Sequence, residues 1–190
     1  MNKAVFLDRD GTLNYDVGYL SKLDNIYIFE GVVDSLKRLK DSGYLNIIIT
    51  NQSGIARGYL SLSNLKTIHE KFLNILSYDG ICLIDDVFFS PYHIDGLIEE
   101  YTKESDCRKP GTGMIDKAVK KHDIDISKSY FVGDSLVDMH CAKNAGLKKI
   151  LVKTGYGIKA MNECSKLGVE IDFISANFSE AVSFILKQDK

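Results

Sequence analysis

Lys3-Ala4-Val5-Phe6-Leu7-Asp8-Arg9-Asp10-Gly11-Thr12-Leu13-Asn14 is the stretch around which the rest of the chain is read. Ala4 to Leu7 is a continuous apolar run, as expected of a strand buried on both faces of a parallel sheet. It ends in two acids one residue apart, with Gly11 behind them. Side chains at i and i+2 of an extended segment leave the same face, about 6–7 Å apart along the chain. The pattern brings two carboxylates to the C-terminal edge of a buried strand, where open α/β sheets bind their ligands. Like charges that close destabilise each other unless a cation or a proton sits between them, and a metal ion is the simplest remedy. The competing reading is that Asp8 and Asp10 merely cap a turn, as Asp-Gly pairs often do.

Further along, apolar runs alternate with helix-period segments, which argues for βα units around a parallel sheet. Strands are expected at Leu45 to Ile49, Asp86 to Phe89, Tyr130 to Gly133, Ile150 to Val152 and near Phe173. Ile26 to Phe29 forms a further short apolar piece. Val32, Leu36 and Leu39 mark a helix ended by Gly43. Leu65, Ile68, Phe72, Ile75 and Leu76 mark another, capped by Ser61 or Ser63. Later helices cover Met114 to Val119, Leu136 to Ala145, a segment up to Lys166, and Ala181 to Leu186. Residues 90–108 break the pattern and read as an insertion loop over the sheet's edge; loops this long are usually functional or disordered. The expectation is one domain over 1–190 carrying that insertion.

At 190 residues, 45% hydrophobic and 26% charged, the composition is that of an ordinary soluble protein. A net charge of −2 gives no reason to expect nucleic acid or an anionic membrane as a partner. Four scattered cysteines read as reduced thiols. No signal-peptide core and no membrane-length apolar run is found, so a cytoplasmic protein is expected, with monomer as the default.

Polar residues stand at three strand ends: Asp8 and Asp10, Thr50, and Asp134. Lys109 precedes the helix that leads to the last of these strands. A parallel sheet puts its C-terminal strand ends on one side, so the groups can meet in one crevice. Such a set permits phosphoryl transfer through an aspartyl-phosphate. Asp8 would attack phosphorus. Asp10, its pKa raised by acidic neighbours, would serve as acid and then base. Mg2+ would sit between Asp8, Asp134 and the Asp10 carbonyl. Thr50 and Lys109 would hold the transferring oxygens. No G-x-x-x-x-G-K loop is present, which argues against P-loop chemistry.

Taken in order, Asp8-x-Asp10-Gly11-Thr12, Thr50-Asn51, Lys109-Pro110 and Gly133-Asp134 with Asp138 resemble the four motifs of the haloacid dehalogenase-like (HAD) phosphatases. The resemblance is closer to one branch, the D-glycero-D-manno-heptose 1,7-bisphosphate phosphatases and the related histidinol-phosphate phosphatases. Phe6 to Asn14, Asp16 to Tyr19, Thr50 to Gly58, Arg108 to Pro110 and Val132 to Ser135 carry it. It spans residues 4 to about 155. It implies a Rossmann-like parallel sheet flanked by helices, without a large cap, and a sugar phosphate as substrate. It also implies substrate contacts from Asp16 to Tyr19, phosphate contacts from Thr50, Asn51, Gln52 and Ser53, and substrate selection by Arg108. Arg57 reads as a solvated loop cation.

Many members of that branch hold structural zinc in the insertion through a Cys-x-His and a Cys-x-Cys pair. The matching positions here are Ser90-Pro91-Tyr92 and Ser105-Asp106-Cys107, with His93 out of register. Structural zinc needs four ligands, so none is expected. Packing of Tyr92, Ile94, Leu97, Ile98 and Tyr101 is expected to hold the loop instead. His69, His122 and His140 read as solvent-facing or as supports behind the site. The leading function is magnesium-dependent removal of the C7 phosphate from heptose 1,7-bisphosphate. The alternatives are histidinol-phosphate hydrolysis and a phospho-accepting receiver domain; the order of acidic groups along the chain argues against the second.

Overall fold

The computed structural model describes residues 1–189. Six strands form one parallel sheet: β1 (Lys3–Leu7), β2 (Tyr44–Asn51), β5 (Asp86–Ser90), β6 (Tyr130–Gly133), β7 (Lys148–Val152) and β8 (Phe173–Ser175). Their order is β5-β2-β1-β6-β7-β8. A separate hairpin joins β3 (Ser77–Tyr78) to β4 (Ile81–Cys82). The helices are α1 (Val32–Asp41), α2 (Leu62–Ile75), α3 (Gly113–His122), α4 (Leu136–Asn144), α5 (Gly157–Leu167) and α6 (Phe178–Gln188).

The alternation along β1 explains why its apolar run is unbroken. Val5 and Leu7 pack on one face with Leu36, Leu39, Phe178 and Ile185 from α1 and α6. Ala4 and Phe6 pack on the other with Met114, Ile115, Cys141 and Ala142 from α3 and α4. Both faces are covered, so both parities must be apolar. Leu7 lies beside Ile48 of β2 and Val132 of β6. From β1 the sheet grows through β2 to one side and through β6 to the other. This reversal opens a crevice beyond the carboxyl ends of the strands, where such sheets bind ligands.

Capping agrees with sequence at several points. The Ser61 hydroxyl accepts from Asn64 N at the start of α2, and Gly43, at φ +80°, follows α1. Ser135 and Asp138 form a reciprocal capping box that fixes α4 directly behind β6. The short apolar piece Ile26 to Phe29 lies outside the sheet, with an isolated antiparallel bridge between Asn14 and Ile28. The β3–β4 hairpin turns on Asp79 and Gly80, both at positive φ, the two-residue turn that Asp-Gly favours.

Asn46 is a polar residue in the middle of β2 and is fully buried. Its amide donates to Leu36 O and Leu83 O. Asn46→Ala would leave both carbonyls without that partner, and about 1–3 kcal/mol of stability is expected to be lost for unsatisfied buried groups. A urea midpoint lowered with an unchanged m-value supports this; an unmoved midpoint contradicts it.

Candidate active site

Lys109 stands at the centre of the strand-end crevice. Its Nζ donates to Asp8 Oδ1 and to Asp138 Oδ1, both at 2.6 Å. Its side chain is 3% exposed. Burial works against the ammonium, but Asp138 and Asp8 outweigh it and hold Lys109 charged well above the usual lysine range. Asn51 fixes its backbone: Lys109 N donates to Asn51 Oδ1, and Asn51 Nδ2 donates to Lys109 O. Asn51 therefore positions the lysine as well as lining the cavity.

Asp8, Asp134 and Asp138 bring carboxylate oxygens within 4.8 Å of one another. Burial raises the pKa of Asp8; Lys109 pulls it back and Asp138 adds to it, with a net rise. Burial also raises Asp134, followed by repulsion from Asp8 and Asp138. Three buried carboxylates face one ammonium, so the cluster is anionic and suits a hard cation with oxygen ligands. Asp138 is already committed, with Oδ1 on Lys109 and Oδ2 on the Ser135 N–H and hydroxyl. Asp134 Oδ2 accepts from Tyr156 N at 2.7 Å. Asp8 Oδ2 and Asp134 Oδ1 are then the carboxylate oxygens left for an ion among the described residues. Asp138, whose role sequence left open, is the anchor of the lysine.

Gly11 and Gly155 explain how Asp134 fits. Both have positive φ, and a Cβ on either would overlap the Asp134 carboxylate. Thr154 Oγ1 donates to Gly11 O at 2.6 Å, tying the loop after β7 to the loop after β1. The pKa of the Tyr156 hydroxyl is raised, first by the nearby Asp16 charge. The inner cavity, about 230 Å³, is lined by Asp8, Asp10, Asp16, Thr50, Lys109, Asp134 and Tyr156, among others.

Asp10 differs from expectation. It lines the cavity, but its carboxylate lies outside the acid cluster and is paired with Arg9. Arg9 Nη2 donates to Asp10 Oδ2 at 2.7 Å, Arg9 Nε reaches both oxygens, and Asn14 and Gln52 add donors. Burial alone would raise its pKa; the Arg9 guanidinium wins, so Asp10 is held below the usual carboxylate range rather than above it. Gln52 is buried behind Thr50, its Nε2 donating to Thr50 Oγ1 and Asp10 Oδ2, so it positions these two groups. Ser53 sits in the turn that follows, accepting from Arg57 N through its carbonyl.

A second cavity of about 610 Å³ adjoins the first, sharing Lys109, and is lined by His93, Lys103, Asp106 and Arg108 among others. Arg108 is half-buried, with Nη1 donating to Tyr92 O. Arg57 is not the solvated cation expected from sequence. It is half-buried, its Nη2 lies 3.1 Å from His93 Nε2, and its charge helps lower the pKa of Arg108 after burial does. Tyr19 packs against Tyr59 with the rings tilted by 37° and 4.4 Å between centroids; it lines neither cavity, whereas its neighbour Gly18 lines the first.

The insertion is also held differently from expectation. Ile94, Leu97 and Ile98 are 60%, 83% and 42% exposed and form no packed core. Leu97 N and Ile98 N donate to Ala56 O, and His93 N donates to Tyr101 O. Tyr92 pairs with Tyr101, and Lys103 lies over the Tyr92 ring. Cys107 Sγ accepts from Lys117 Nζ, and His93 Nδ1 accepts from Asp95 N.

The HAD-hydrolase-like family model matches residues 106–181. A Haemophilus ducreyi protein named D-glycero-beta-D-manno-heptose-1,7-bisphosphate 7-phosphatase is 46% identical over 85% of this chain and 88% of its own length. The chain belongs to the heptose-bisphosphate phosphatase family of HAD hydrolases. A Photorhabdus laumondii relative, named for the alpha anomer, is 43% identical over 81% of this chain and 84% of its own. The crystal structure of a heptose-bisphosphate phosphatase from B. bronchiseptica, complexed with magnesium and phosphate, matches with a TM-score of 0.85 at 29% identity. It covers 98% of this chain and 99% of that one. As a member of this phosphatase family, the protein is a phosphoric monoester hydrolase.

Lys109→Met would remove the one cation facing Asp8 and Asp138. Breaking a buried ion pair is expected to cost about 3–5 kcal/mol of stability. On the expectation from sequence that Lys109 holds the transferring oxygens, its loss should lower turnover by about 10²–10³-fold. Lys109→Arg should rescue neither fully, because a planar fork cannot replace a compact ammonium between two acids. Steady-state rates and urea unfolding measure both effects, and near-normal turnover in Lys109→Met contradicts the assignment.

Proposed function

We propose that the protein hydrolyses the C7 phosphate of D-glycero-D-manno-heptose 1,7-bisphosphate through an aspartyl-phosphate on Asp8, with Mg2+ as its ion. The observation that carries this reading is Lys109 held between Asp8 and Asp138 while Asp134 closes the anionic cluster. Mg2+ held by Asp8, Asp134 and the Asp10 carbonyl would supply the positive charge that lets a carboxylate approach a phosphate. In the first step an Asp8 oxygen bonds to phosphorus, the bond to the leaving oxygen breaks, and that oxygen takes a proton from Asp10. In the second, water bonds to phosphorus, the Asp8–phosphorus bond breaks, and Asp10 receives the water proton. Arg9 favours Asp10 as the anion, which suits the second step. The negative phosphoryl group of an arriving substrate favours the neutral form needed for the first. Thr50 and Lys109 hold the non-reacting oxygens.

Two further features support a bisphosphate. The outer cavity adjoins the reacting one through Lys109, and Arg108, with Arg57 behind it, puts fixed cations there. A guanidinium suits phosphate oxygens through its planar fork. We assign Arg108 the second phosphate, Asp16 and Tyr19 the sugar, and Ser53 a place in the turn that carries Thr50. The insertion is held by the Ala56 contacts, the tyrosine pair and the Arg57–His93 contact, without zinc. Among the described residues no helix is long and apolar enough to cross a membrane, in keeping with a cytoplasmic monomer acting on a small sugar phosphate.

Phosphate release from a substrate panel tests the assignment. Heptose 1,7-bisphosphate is expected to exceed histidinol phosphate by at least tenfold in kcat/KM, about 1.4 kcal/mol of transition-state binding. A smaller ratio, or a preference for histidinol phosphate, contradicts it. EDTA should abolish turnover, and added Mg2+ should restore it. Metal analysis of protein purified without chelators should find no stoichiometric zinc; about one zinc per chain would show that the insertion holds a structural site after all.

A further inference from the structure

Arg9 is the charged member of a set of large, fully buried side chains that otherwise consists of Phe, Leu and Ile. It lies between Asp8 and Asp10, just past the end of β1, with its side chain 1% exposed and turned to Asp10 rather than to Asp8. Its guanidinium makes no contact with the acid cluster. It grips Asp10 through Nε and Nη2, sits 5.9 Å from the centroid of the Phe72 ring, and meets His69 through Nη1, 3.2 Å from Nε2. His69 packs edge-on against Phe89, 5.6 Å between centroids. Burial, then the Arg9 charge, pushes His69 down to about 3. The imidazole is therefore neutral, and its Nε2 lone pair accepts from Arg9.

Stability gives no reason for this arrangement. Replacing a buried ion pair by apolar groups is often neutral or stabilising. What the pair does supply is direction. A two-pronged guanidinium contact fixes the plane of a carboxylate as well as its place. Asn14 and Gln52 hold the same two oxygens from other sides, and Gln52 continues to Thr50. Asp10 remains at the cavity wall, 21% exposed, able to reach a substrate oxygen.

We infer that Arg9, steadied from behind by His69, is a positioning residue that aims the Asp10 carboxyl at the leaving oxygen and then at the attacking water. The inference rests on the acid/base reading of Asp10 given above. It makes Arg9 and His69 parts of the reaction machinery although neither lines the reacting cavity.

The test compares two leaving groups in the first turnover, measured by rapid quench on the magnesium-loaded enzyme. Heptose 1,7-bisphosphate leaves as an alkoxide and needs a proton, whereas 2,4-dinitrophenyl phosphate leaves as a stable anion and does not. Arg9→Gln is expected to slow the sugar phosphate by roughly 10²-fold, within the range a positioned acid contributes, while the dinitrophenolate burst keeps its rate. Asp10→Asn should show the same discrimination. In the Asp10→Asn background, Arg9→Gln should cost little more, because the two act as a unit. Arg9→Lys, which keeps charge without the fork, should recover part of the sugar-phosphate rate. His69→Leu touches neither Asp10 nor substrate and should show a smaller discrimination in the same direction, restored by His69→Gln. This arm decides the matter if Arg9→Gln does not fold.

Equal slowing of both substrates by the Arg9 or His69 variants, or no slowing of either, overturns the inference. A discriminating Asp10→Asn beside a non-discriminating Arg9→Gln overturns Arg9 alone. An Asp10→Asn without discrimination removes the acid/base reading, and the role of Arg9 with it.

Discussion

The ammonium of Lys109 between Asp8 and Asp138 is the interaction on which the site depends. A nucleophilic carboxylate must be buried to be shielded from water, and burial by itself drives it toward the neutral acid. Lys109 opposes that drift at 2.6 Å, and Asp138 opposes the matching drift in the lysine. Asp138 is itself held by Ser135 at the first turn of α4. A capping box that begins a helix therefore also orients the lysine, and the lysine orients Asp8, the proposed nucleophile. The fold supplies the rest: parallel strands bring Asp8, Thr50 and Asp134 to one edge, and Asn51 brings the Lys109 backbone across to meet them.

Division of labour between neighbouring acids follows from partners rather than from residue type. Asp8 and Asp134 face one another and are pushed up, whereas Asp10, two residues from Asp8, faces a guanidinium and is pulled down. The same short loop thus holds one carboxylate that burial raises despite its lysine and one that a guanidinium lowers despite burial. Outside this centre, the insertion adds a second cavity, lined by charges of both signs, without building an apolar core of its own; main-chain bonds to Ala56 and the Arg57–His93 contact hold it to the loop after β2.

Much of this was legible in the chain because the governing signals are local. The unbroken apolar run of β1 required cover on both faces, and α1, α3, α4 and α6 provide it. Acids, a threonine and a glycine placed just after such runs pointed to strand ends, and Asp8, Thr50, Lys109 and Asp134 do converge. What could not be read depends on direction in space. Arg9 lies just past the end of β1, where strand alternation no longer dictates direction, and nothing in the motif marks it as a buried partner of Asp10. Arg57 read as solvated because nothing nearby in sequence shows that His93, thirty-six positions on, comes to meet it. Sequence gives Asp10 the wrong sign of perturbation, because acids adjacent along the chain are not its nearest charge in space; the Arg9 guanidinium is. The β3–β4 hairpin was too short for periodicity to reveal, yet the Asp79-Gly80 pair marked its turn.

The most direct test of the account is to locate the transferred phosphoryl group. Enzyme quenched in acid during turnover of phosphate-labelled substrate, then digested and sequenced by mass spectrometry, should carry an acid-stable, base-labile phosphoryl group on Asp8. Label on another residue, or turnover with no phosphoenzyme at any quench time and inversion at phosphorus of an isotopically chiral phosphate ester, would contradict it.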